Sequence, residues 1–328
     1  MDVVIIQSVI IERGFNMIVE VGTGKEKVID KIYHYTSVDG LQAIISNKTL
    51  RFTECSFLND RNEYKGLGDL IDELTPDLEE EIKELLNELK WIFNDSYEES
   101  RGTYCLLKDG KLQYTKSRFY ILSLSIKQDS LPMWNYYSKN SNNWGYNLEI
   151  SKQQIIEKFF NVENIHLDLY CGKIIYSDQR KKDFIKFRIN EIYNLYLRKV
   201  KEYINNNLED ELTMLKDEMI NEIYDFSTIC RLFFKDDYFR HEEEYRFILR
   251  ADNFVDDDSL KKTFSNLNGV IRPHVDLKFE NVNFIKSITI SPLVDYDLAQ
   301  KGLNIFLEHN KSDLKKIKIK KSKINIRF

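Results

Sequence analysis

The chain has 328 residues, with 48 Lys and Arg against 53 Asp and Glu, and a formal net charge of -5. This balance argues against a generally basic nucleic-acid-binding protein, although it leaves room for a local basic groove. Aromatic residues make up 13% of the chain, which argues against an intrinsically disordered protein. The length allows one large domain or two small ones with a sizeable core.

The four cysteines and five histidines do not predict a metal site, because they are scattered and form no Cys-x-x-Cys pair. We therefore expect reduced thiols, a cytoplasmic protein and no bound metal. No apolar run approaches the ~20 residues that span a bilayer. The apolar N-terminal run also lacks the basic start and the small-residue cleavage site of a signal peptide. We expect no membrane partner.

The first half of the chain is predicted to alternate strands with short helices. Residues 1–27 are predicted to form a strand and a turn. The next predicted strands are 31–36, 49–54, 118–126 and 145–150, where β-branched and aromatic residues recur. Helices are predicted after Ser37, a favourable N-cap, over 68–98 with a break at Pro76, over 131–138 and over 151–160.

The second half of the chain contains a long helical stretch, since 179–234 has helical spacing and neither Pro nor Gly. Strands are predicted at 165–177, 243–251, 284–292 and 315–328, with a helix over roughly 294–308. The simplest interpretation is a single α+β domain over 1–328, with helical insertions near 65–98 and 180–230.

Two acids and a base alternate in the stretch YFRHEEEYRFIL, residues 238–249. If a strand begins at Glu242, then Glu242, Glu244 and Arg246 point to one face of the sheet. Such groups are costly to bury unless they pair or bind a ligand. On strand geometry alone, an exposed face with cross-strand ion pairs is the more common explanation, and a functional site is the alternative.

The strand predicted over 31–36 carries the motif Tyr-His-Tyr-Thr at residues 33–36. Thr36 follows His34 by two residues, so their side chains share one strand face. A lone histidine in a strand is more often a hydrogen-bonded core residue than a catalytic one. An imidazole beside a hydroxyl is nevertheless suited to holding sugar hydroxyls. A hydrolytic triad is not predicted, because no nucleophile and acidic orienter accompany His34.

Two aromatic residues share a face of the helix predicted over 131–138. Trp134 is expected to be a core anchor, whereas Tyr137 lies closer to a polar loop and is suited to stacking on a ring-shaped ligand. The chain contains no phosphate-binding loop of the Walker or Gly-x-Gly-x-x-Gly type.

These motifs, in this order, resemble an uncharacterised bacterial family, domain of unknown function 2971, over roughly residues 31–328. The residues that carry the resemblance are Tyr33, His34, Tyr35, Thr36, Phe57, Asn59, Asp60, Glu63, Ser123, Ser125, Trp134, Tyr137, Gly145, Glu242, Glu244 and Arg246.

The opening motif is also similar, more remotely, to that of the ADP-ribosyltransferase superfamily, especially its nucleic-acid-modifying toxins. This resemblance implies an ADP-ribosyltransferase-like mixed or antiparallel β core and NAD as the substrate. It assigns His34 and Thr36 to the nicotinamide-side ribose and Tyr137 to nicotinamide. It makes Glu244 the catalytic acid, with Glu242 as an accessory acid.

If NAD is the substrate, its pyrophosphate needs a cationic partner, and Arg118 and Arg246 are the residues considered for that role. Both are equally explained as structural partners of the acid pair.

The leading hypothesis is therefore a bacterial ADP-ribosyltransferase-like enzyme or NAD glycohydrolase, acting as a toxin or antiphage-defence effector. Its target is nucleic acid, protein or water, and a toxic activity implies an inhibitory partner. One alternative is a non-catalytic module that binds a nucleotide or a partner protein.

A second alternative is a nuclease whose carboxylates hold Mg²⁺. The nuclease requires Asp60 or Glu63 beside Glu244, with His34 remote. The transferase requires His34 and Glu244 to face one cleft, with an aromatic residue between them.

Overall fold

The computed structural model describes residues 4–9, 17–23, 29–58, 66–94, 102–106, 112–116, 118–137, 144–160, 167–208, 211–251, 260–310 and 317–325. Helices and strands are interspersed along these residues, which is an α+β arrangement. The strands are β1 (Val4–Val9), β2 (Met17–Thr23), β3 (Lys31–Ser37), β4 (Thr49–Glu54), β5 (Gly102–Leu106), β6 (Leu112–Lys116), β7 (Arg118–Ser125), β8 (Gly145–Ser151), β9 (Leu167–Lys173), β10 (Glu244–Ala251), β11 (Leu260–Leu267), β12 (Val270–Lys278), β13 (Ile285–Ile290) and β14 (Lys318–Lys321). The helices are α1 (Val38–Asn47), α2 (Leu67–Leu74), α3 (Glu80–Glu88), α4 (Lys90–Asn94), α5 (Leu131–Tyr137), α6 (Lys152–Phe160), α7 (Asp178–Asn205), α8 (Leu212–Phe233) and α9 (Tyr296–His309).

One mixed sheet of 12 strands dominates the described part of the chain. Its main path runs β1-β2-β9-β10-β7-β3-β8-β13-β14, and a branch β11-β12-β4 joins it where β4 pairs with β7. Most neighbours are antiparallel, whereas β2 pairs with β9 and β13 with β14 in parallel. Strands β5 and β6 form a separate hairpin.

The sheet splits at strand β7, and this split positions the site. One edge of β7 pairs with β10 along its whole length. The other edge pairs with β4 at Tyr120 and Ile121, and with β3 at Ser125. Residues 122–124 lie between these two branches, so their main chain faces a gap that side chains can enter.

The unit β3-α1-β4 confirms the strand–helix–strand prediction for this stretch. The Ser37 side chain accepts a hydrogen bond from the Gly40 amide and so caps α1. Leu41 and Ile45 are buried on one face of the helix. Lys48, in the left-handed conformation with φ 56°, ends it. This short helix packs on the sheet and holds β3 and β4 on opposite sides of the split.

Helices α2–α4 and α7–α8 occupy the regions that the sequence predicted as helical insertions. They pack together and onto the sheet face that carries Ile121, Tyr170 and Ile248. The predicted break at Pro76 is confirmed, because Thr75–Asp77 is a short 3-10 helix between α2 and α3. No helix among the described residues is long and apolar enough to cross a membrane.

Two predictions about strands need correction. Of the terminal strand predicted over 315–328, the described residues 317–325 contain only β14, and 322–325 follow it without regular structure; the remainder of that prediction lies outside the described residues. The hairpin β11–β12 was not predicted, although Asn268 and Gly269 at its turn both have positive φ, 52° and 81°. An Asn-Gly pair is a typical two-residue hairpin turn.

Candidate functional site

A cavity of about 320 Å³ opens at the split in the sheet. The predicted site residues that line it are His34, Tyr137, Glu242, Glu244 and Arg246. They come from β3, α5 and the start of β10, elements far apart in the chain. The structure therefore brings together the imidazole, the aromatic ring and the acid pair that the sequence singled out.

A buried cluster of alternating charges forms one wall of the cavity. The Lys235 ammonium lies 2.6 Å from Glu242 Oε2 and 3.2 Å from Glu244 Oε2. Arg246 donates to both oxygens of Glu244, from Nε at 2.7 Å and from Nη2 at 3.1 Å. All four residues are buried. The two cations compensate the two carboxylates, which is the condition for burying charge in a protein.

The backbone before β10 explains how both acids point inward. Glu242 ends a 3-10 helix, Asp237–Glu242, and Glu243 is in the left-handed conformation with φ 39°. The strand begins only at Glu244. The strand therefore begins after Glu242, and the predicted strand 243–251 is one residue too long at its start. The backbone turn at Glu243 nevertheless sends the flanking carboxylates to the same ammonium, while Glu243 itself pairs with Lys127 at 3.1 Å.

The expectation of an exposed charged face is also wrong. Arg246 is only 1% exposed, and its Nη1 donates to the Leu232 main-chain oxygen at 2.7 Å. Burial alone would raise the pKa of Glu244, but the charges of Arg246 and Lys235 outweigh it and lower that pKa. Glu244 is accordingly an ionised carboxylate at neutral pH.

The two acids differ in the hydrogen bonds that they already accept. Glu244 accepts from Arg246 twice, from Lys235 once and from the Ser123 hydroxyl. Glu242 accepts from Tyr137 at 2.6 Å and from Lys235 at 2.6 Å. A carboxylate offers about four acceptor positions. Glu242 is therefore the acid with room to accept hydrogen bonds from a ligand, and Glu244 is held in a fixed position.

His34 fills the gap at the split. Its ring hydrogen-bonds to the main chain of Ser123, the residue at the middle of the unpaired stretch of β7. Burial lowers the pKa of His34 to about 4, and the bond to Ser123 offsets part of that shift. The ring is neutral at pH 7 and acts as a fixed hydrogen-bonding group.

The Ser123 hydroxyl does not have the surroundings of an activated nucleophile. A general base works best with a pKa near the operating pH. Glu244, which accepts from the Ser123 hydroxyl, has its pKa lowered to about 2, and His34, whose pKa is lowered to about 4, bonds to the Ser123 main chain.

Thr36 and Arg118 are not among the residues that line the cavity. Thr36 shares a strand face with His34, but it is buried where α1 begins, and its hydroxyl occupies the space beside Gly40. Arg118 lies at the far end of β7, where its side chain bonds to Tyr120.

Trp134 is a core residue, as expected. Its ring packs edge-on against Tyr35 at a centroid distance of 4.9 Å, and its Nε1 donates to Asp129 at 2.7 Å. Tyr137, three residues later, points its hydroxyl at Glu242 and leaves its ring on the cavity wall.

Sequence analysis missed three cationic residues of the site, Lys235, Arg51 and Arg272. Lys235 follows the last turn of α8, seven residues before Glu242, and only the fold makes them neighbours. Arg51 and Arg272 lie on β4 and β12, and the hairpin containing Arg272 was not predicted. The Asn268–Gly269 turn was the one available signal for that hairpin.

No group of three or more His, Cys, Asp or Glu among the residues described is arranged to hold a metal ion. Asp60 and Glu63, the acids that the nuclease alternative requires, lie outside the described residues. The same holds for Asn59 of the family motif.

Comparison with known proteins identifies one related family. Residues 133–247 match the family model described as Protein of unknown function (DUF2971). The match includes Tyr137, Lys235 and the Glu-x-Glu-x-Arg motif, and it is shorter than the resemblance expected over 31–328. No curated protein and no solved structure matches the chain.

Proposed function

We propose that the chain is an ADP-ribosyltransferase-like enzyme or NAD glycohydrolase that uses NAD as its substrate. The observation that carries this proposal is the shared cavity of His34, Tyr137 and Glu244. The transferase hypothesis requires an imidazole and an acid on one cleft with an aromatic residue between them. The nuclease hypothesis requires His34 to be remote from Glu244.

The fold offers further support for an ADP-ribosyltransferase-like β core. The β strand with the His-x-Thr motif, β3, borders a split in a mixed sheet, and the Glu-x-Glu motif begins the strand that runs beside β7. A ligand in the split meets side chains from both branches, as expected of a binding cleft in a divided sheet.

The proposed chemistry breaks the bond between nicotinamide and the anomeric carbon of the ribose. Nicotinamide leaves with the bonding electrons, and a nucleophile from water or a target bonds to the anomeric carbon and releases its proton to solvent. Positive charge develops on the ribose in between. An ionised carboxylate at fixed distance stabilises that charge without proton transfer. The lowered pKa of Glu244 suits this electrostatic role.

The remaining residues position the substrate. The neutral His34 ring is suited to a ribose hydroxyl, and Glu242 has acceptor positions for a second hydroxyl. The Tyr137 ring, fixed through its hydroxyl, provides a stacking surface for nicotinamide. Holding the ribose in one orientation is worth several kcal/mol in reactions of this kind.

The biological setting follows from the resemblance and is part of the proposal. We expect a toxin or antiphage-defence effector whose target is nucleic acid or protein, or an enzyme that hydrolyses NAD. An inhibitory partner would restrain such an activity in the producing cell.

A non-catalytic nucleotide-binding module is the second candidate. The complete ion pairing of Glu244 with Arg246 and Lys235 favours it, because a neutralised carboxylate stabilises a developing cation less strongly. The two candidates share the ligand and differ in whether nicotinamide is released.

The decisive experiment measures nicotinamide release from NAD by the purified protein, alone and with DNA, RNA or cell lysate. Release that is lost in Glu244→Gln and Glu242→Gln, but kept in the surface control Glu88→Gln, supports the enzyme. Glu88 is a suitable control because it is an exposed acid in a surface ion pair with Lys216. NAD binding by calorimetry without release supports the binding module. Neither binding nor release would overturn the proposal.

A further inference from the structure

Two arginines line the cavity from the β4 branch of the sheet, whereas the acid pair lies on the β10 side of β7. Arg51 lies on β4 and Arg272 on β12. These strands are antiparallel, with Thr53 opposite His274 and Arg51 opposite Asp276. Residues two apart in a strand share a face, so Arg272 points to the same side of the sheet as His274 and Arg51.

The charge of Arg51 is compensated within the protein. Its Nε and Nη2 donate to the two oxygens of Asp276 at 2.8 and 2.9 Å. Thr263 donates to the same carboxylate at 3.1 Å. This bidentate pair holds the Arg51 guanidinium in one orientation, with almost half of the side chain still exposed.

The charge of Arg272 has no such partner among the described residues. Its Nε is buried and makes no hydrogen bond there. Burial and the nearby charge of Arg51 lower its pKa. His274 is neutral at pH 7 and adds no charge, because burial and the two arginines lower its pKa to about 4. A partly desolvated guanidinium beside a second cation is unfavourable until an anion binds.

We propose that Arg272, together with Arg51, forms an anion subsite that binds the pyrophosphate of a dinucleotide whose nicotinamide end lies at the acid pair. Two N–H groups of a guanidinium can donate to two phosphate oxygens at the same time. The identification of the anion as a pyrophosphate rests on the proposed function. The existence of a phosphate-binding subsite rests on the position of Arg51 and Arg272 on the cavity wall and on the lack of a partner for Arg272 among the described residues.

The subsite replaces the role expected for Arg118 or Arg246. Arg246 already uses its Nε, Nη1 and Nη2 on Glu244 and the Leu232 main chain. Arg118 lies outside the cavity lining. The acid pair lies beside one edge of β7 and the arginine pair lies on the β4 branch at its other edge, which gives the cavity one charge-compensated and one cationic wall.

The test is calorimetric binding of inorganic pyrophosphate, ADP-ribose and nicotinamide riboside to the full chain and to Arg272→Gln. We expect pyrophosphate and ADP-ribose to bind at least tenfold more weakly to the variant, and nicotinamide riboside, which lacks phosphate, to bind equally to both. Arg198→Gln, which removes an exposed arginine on α7, is the matched control and should bind as the parent does. Equal affinity of pyrophosphate and ADP-ribose for the parent and Arg272→Gln would overturn the proposal.

The source of the phosphate is tested with a short oligonucleotide. Binding of the oligonucleotide in preference to ADP-ribose, lost in Arg272→Gln, would overturn the dinucleotide assignment. If the parent never releases nicotinamide but Arg272→Gln loses pyrophosphate binding, the subsite is supported and the enzymatic activity is refuted. If the parent releases nicotinamide but Arg272→Gln binds anions as the parent does, the enzymatic activity is supported and the subsite is refuted.

Thermal unfolding without ligand separates a ligand-binding arginine from a structural one. Because Arg272 is uncompensated, its replacement by Gln should leave the melting temperature unchanged or raise it. A melting temperature well below that of the parent would show that Arg272 is needed for folding, and it would overturn the proposal.

Discussion

The Tyr137 hydroxyl donates a 2.6 Å hydrogen bond to the Glu242 carboxylate, across 105 positions of the chain. This bond ties α5 to the turn that precedes β10, and it orients both the ring and the acid that face the cavity. Hydrogen bonds to charged groups contribute about 1.5–3 kcal/mol. Tyr137→Phe keeps the ring and removes the bond, so it should lower the free energy of unfolding by about that amount in urea titrations. A double-mutant cycle with Glu242→Gln should show that the two substitutions are coupled in their effect on the free energy of unfolding. Strictly additive effects would show that the hydrogen bond does not link the two residues.

Removal of Lys235 should destabilise the fold strongly. Lys235→Met leaves Glu242 and Glu244 buried with one cation fewer, and breaking a buried ion pair costs about 3–5 kcal/mol. The matched control is Lys216→Met, which breaks the exposed pair with Glu88 and should change stability by less than about 1 kcal/mol. Chemical denaturation measures both, and equal small losses would show that the cluster contributes little.

Stability should depend on pH through two histidines. Burial lowers the pKa of both His34 and His274 from 6.5 to about 4. Below pH 6.5 the unfolded chain therefore binds more protons than the folded chain, and the free energy of unfolding falls as the pH falls toward 4. The contribution of each ring is about 1–3 kcal/mol, fully present above pH 6.5.

Urea titrations between pH 7.5 and pH 4.5 test this dependence. The lowered pKa of Glu244 affects stability below 4.5, so its contribution stays outside this window. His34→Gln and His274→Gln should each reduce the slope of stability against pH. A parent protein whose stability rises as the pH falls through this range would contradict the assignment.

The contact between Thr36 and Gly40 predicts a compensating pair of substitutions. A Cβ at position 40 would coincide with the Thr36 hydroxyl, so Gly40→Ala should cost about 1–3 kcal/mol through overpacking. Thr36→Ala removes the obstacle, and the double variant should recover most of the loss. Thermal unfolding of the four proteins in the cycle measures the recovery. Equal losses in the single and double variants would mean that the obstacle is elsewhere.

The strands that border the cavity were predictable because their local patterns are strong. β3, β7 and β10 are apolar or alternating over most of their length, and Ser37 marks the start of α1. The hairpin β11–β12 escaped prediction because polar and charged residues interrupt its pattern and Pro273 lies inside β12. Arg272 was therefore not recognised as a residue of the site.

The site was only partly predictable for a different reason. Short sequence motifs allowed His34, Tyr137 and Glu244 to be recognised as candidate site residues. Lys235 could not be recognised in this way, because its contact with Glu242 depends on the turn between α8 and β10. Thr36 was expected to line the site together with His34, but it is not among the residues that line the cavity. Strand alternation predicts which side chains share a face, but it does not predict where a cavity ends. Burial of Arg246 was missed because the Leu232 carbonyl, which accepts from it, is brought beside the Glu244–Arg246 pair only in the folded chain.

The matched stretch 133–247 supplies the aromatic ring and the acid cluster, while His34, Arg51 and Arg272 come from outside it. The cavity therefore combines one part that lies within the matched stretch and carries the carboxylates with another part that lies outside it and carries the imidazole and the two arginines. Substitutions in β4 or β12 change the second part and leave the first as it is. Under the proposed subsite, exchange of the β11–β12 hairpin for another sequence would change anion binding while the acid cluster stays in place.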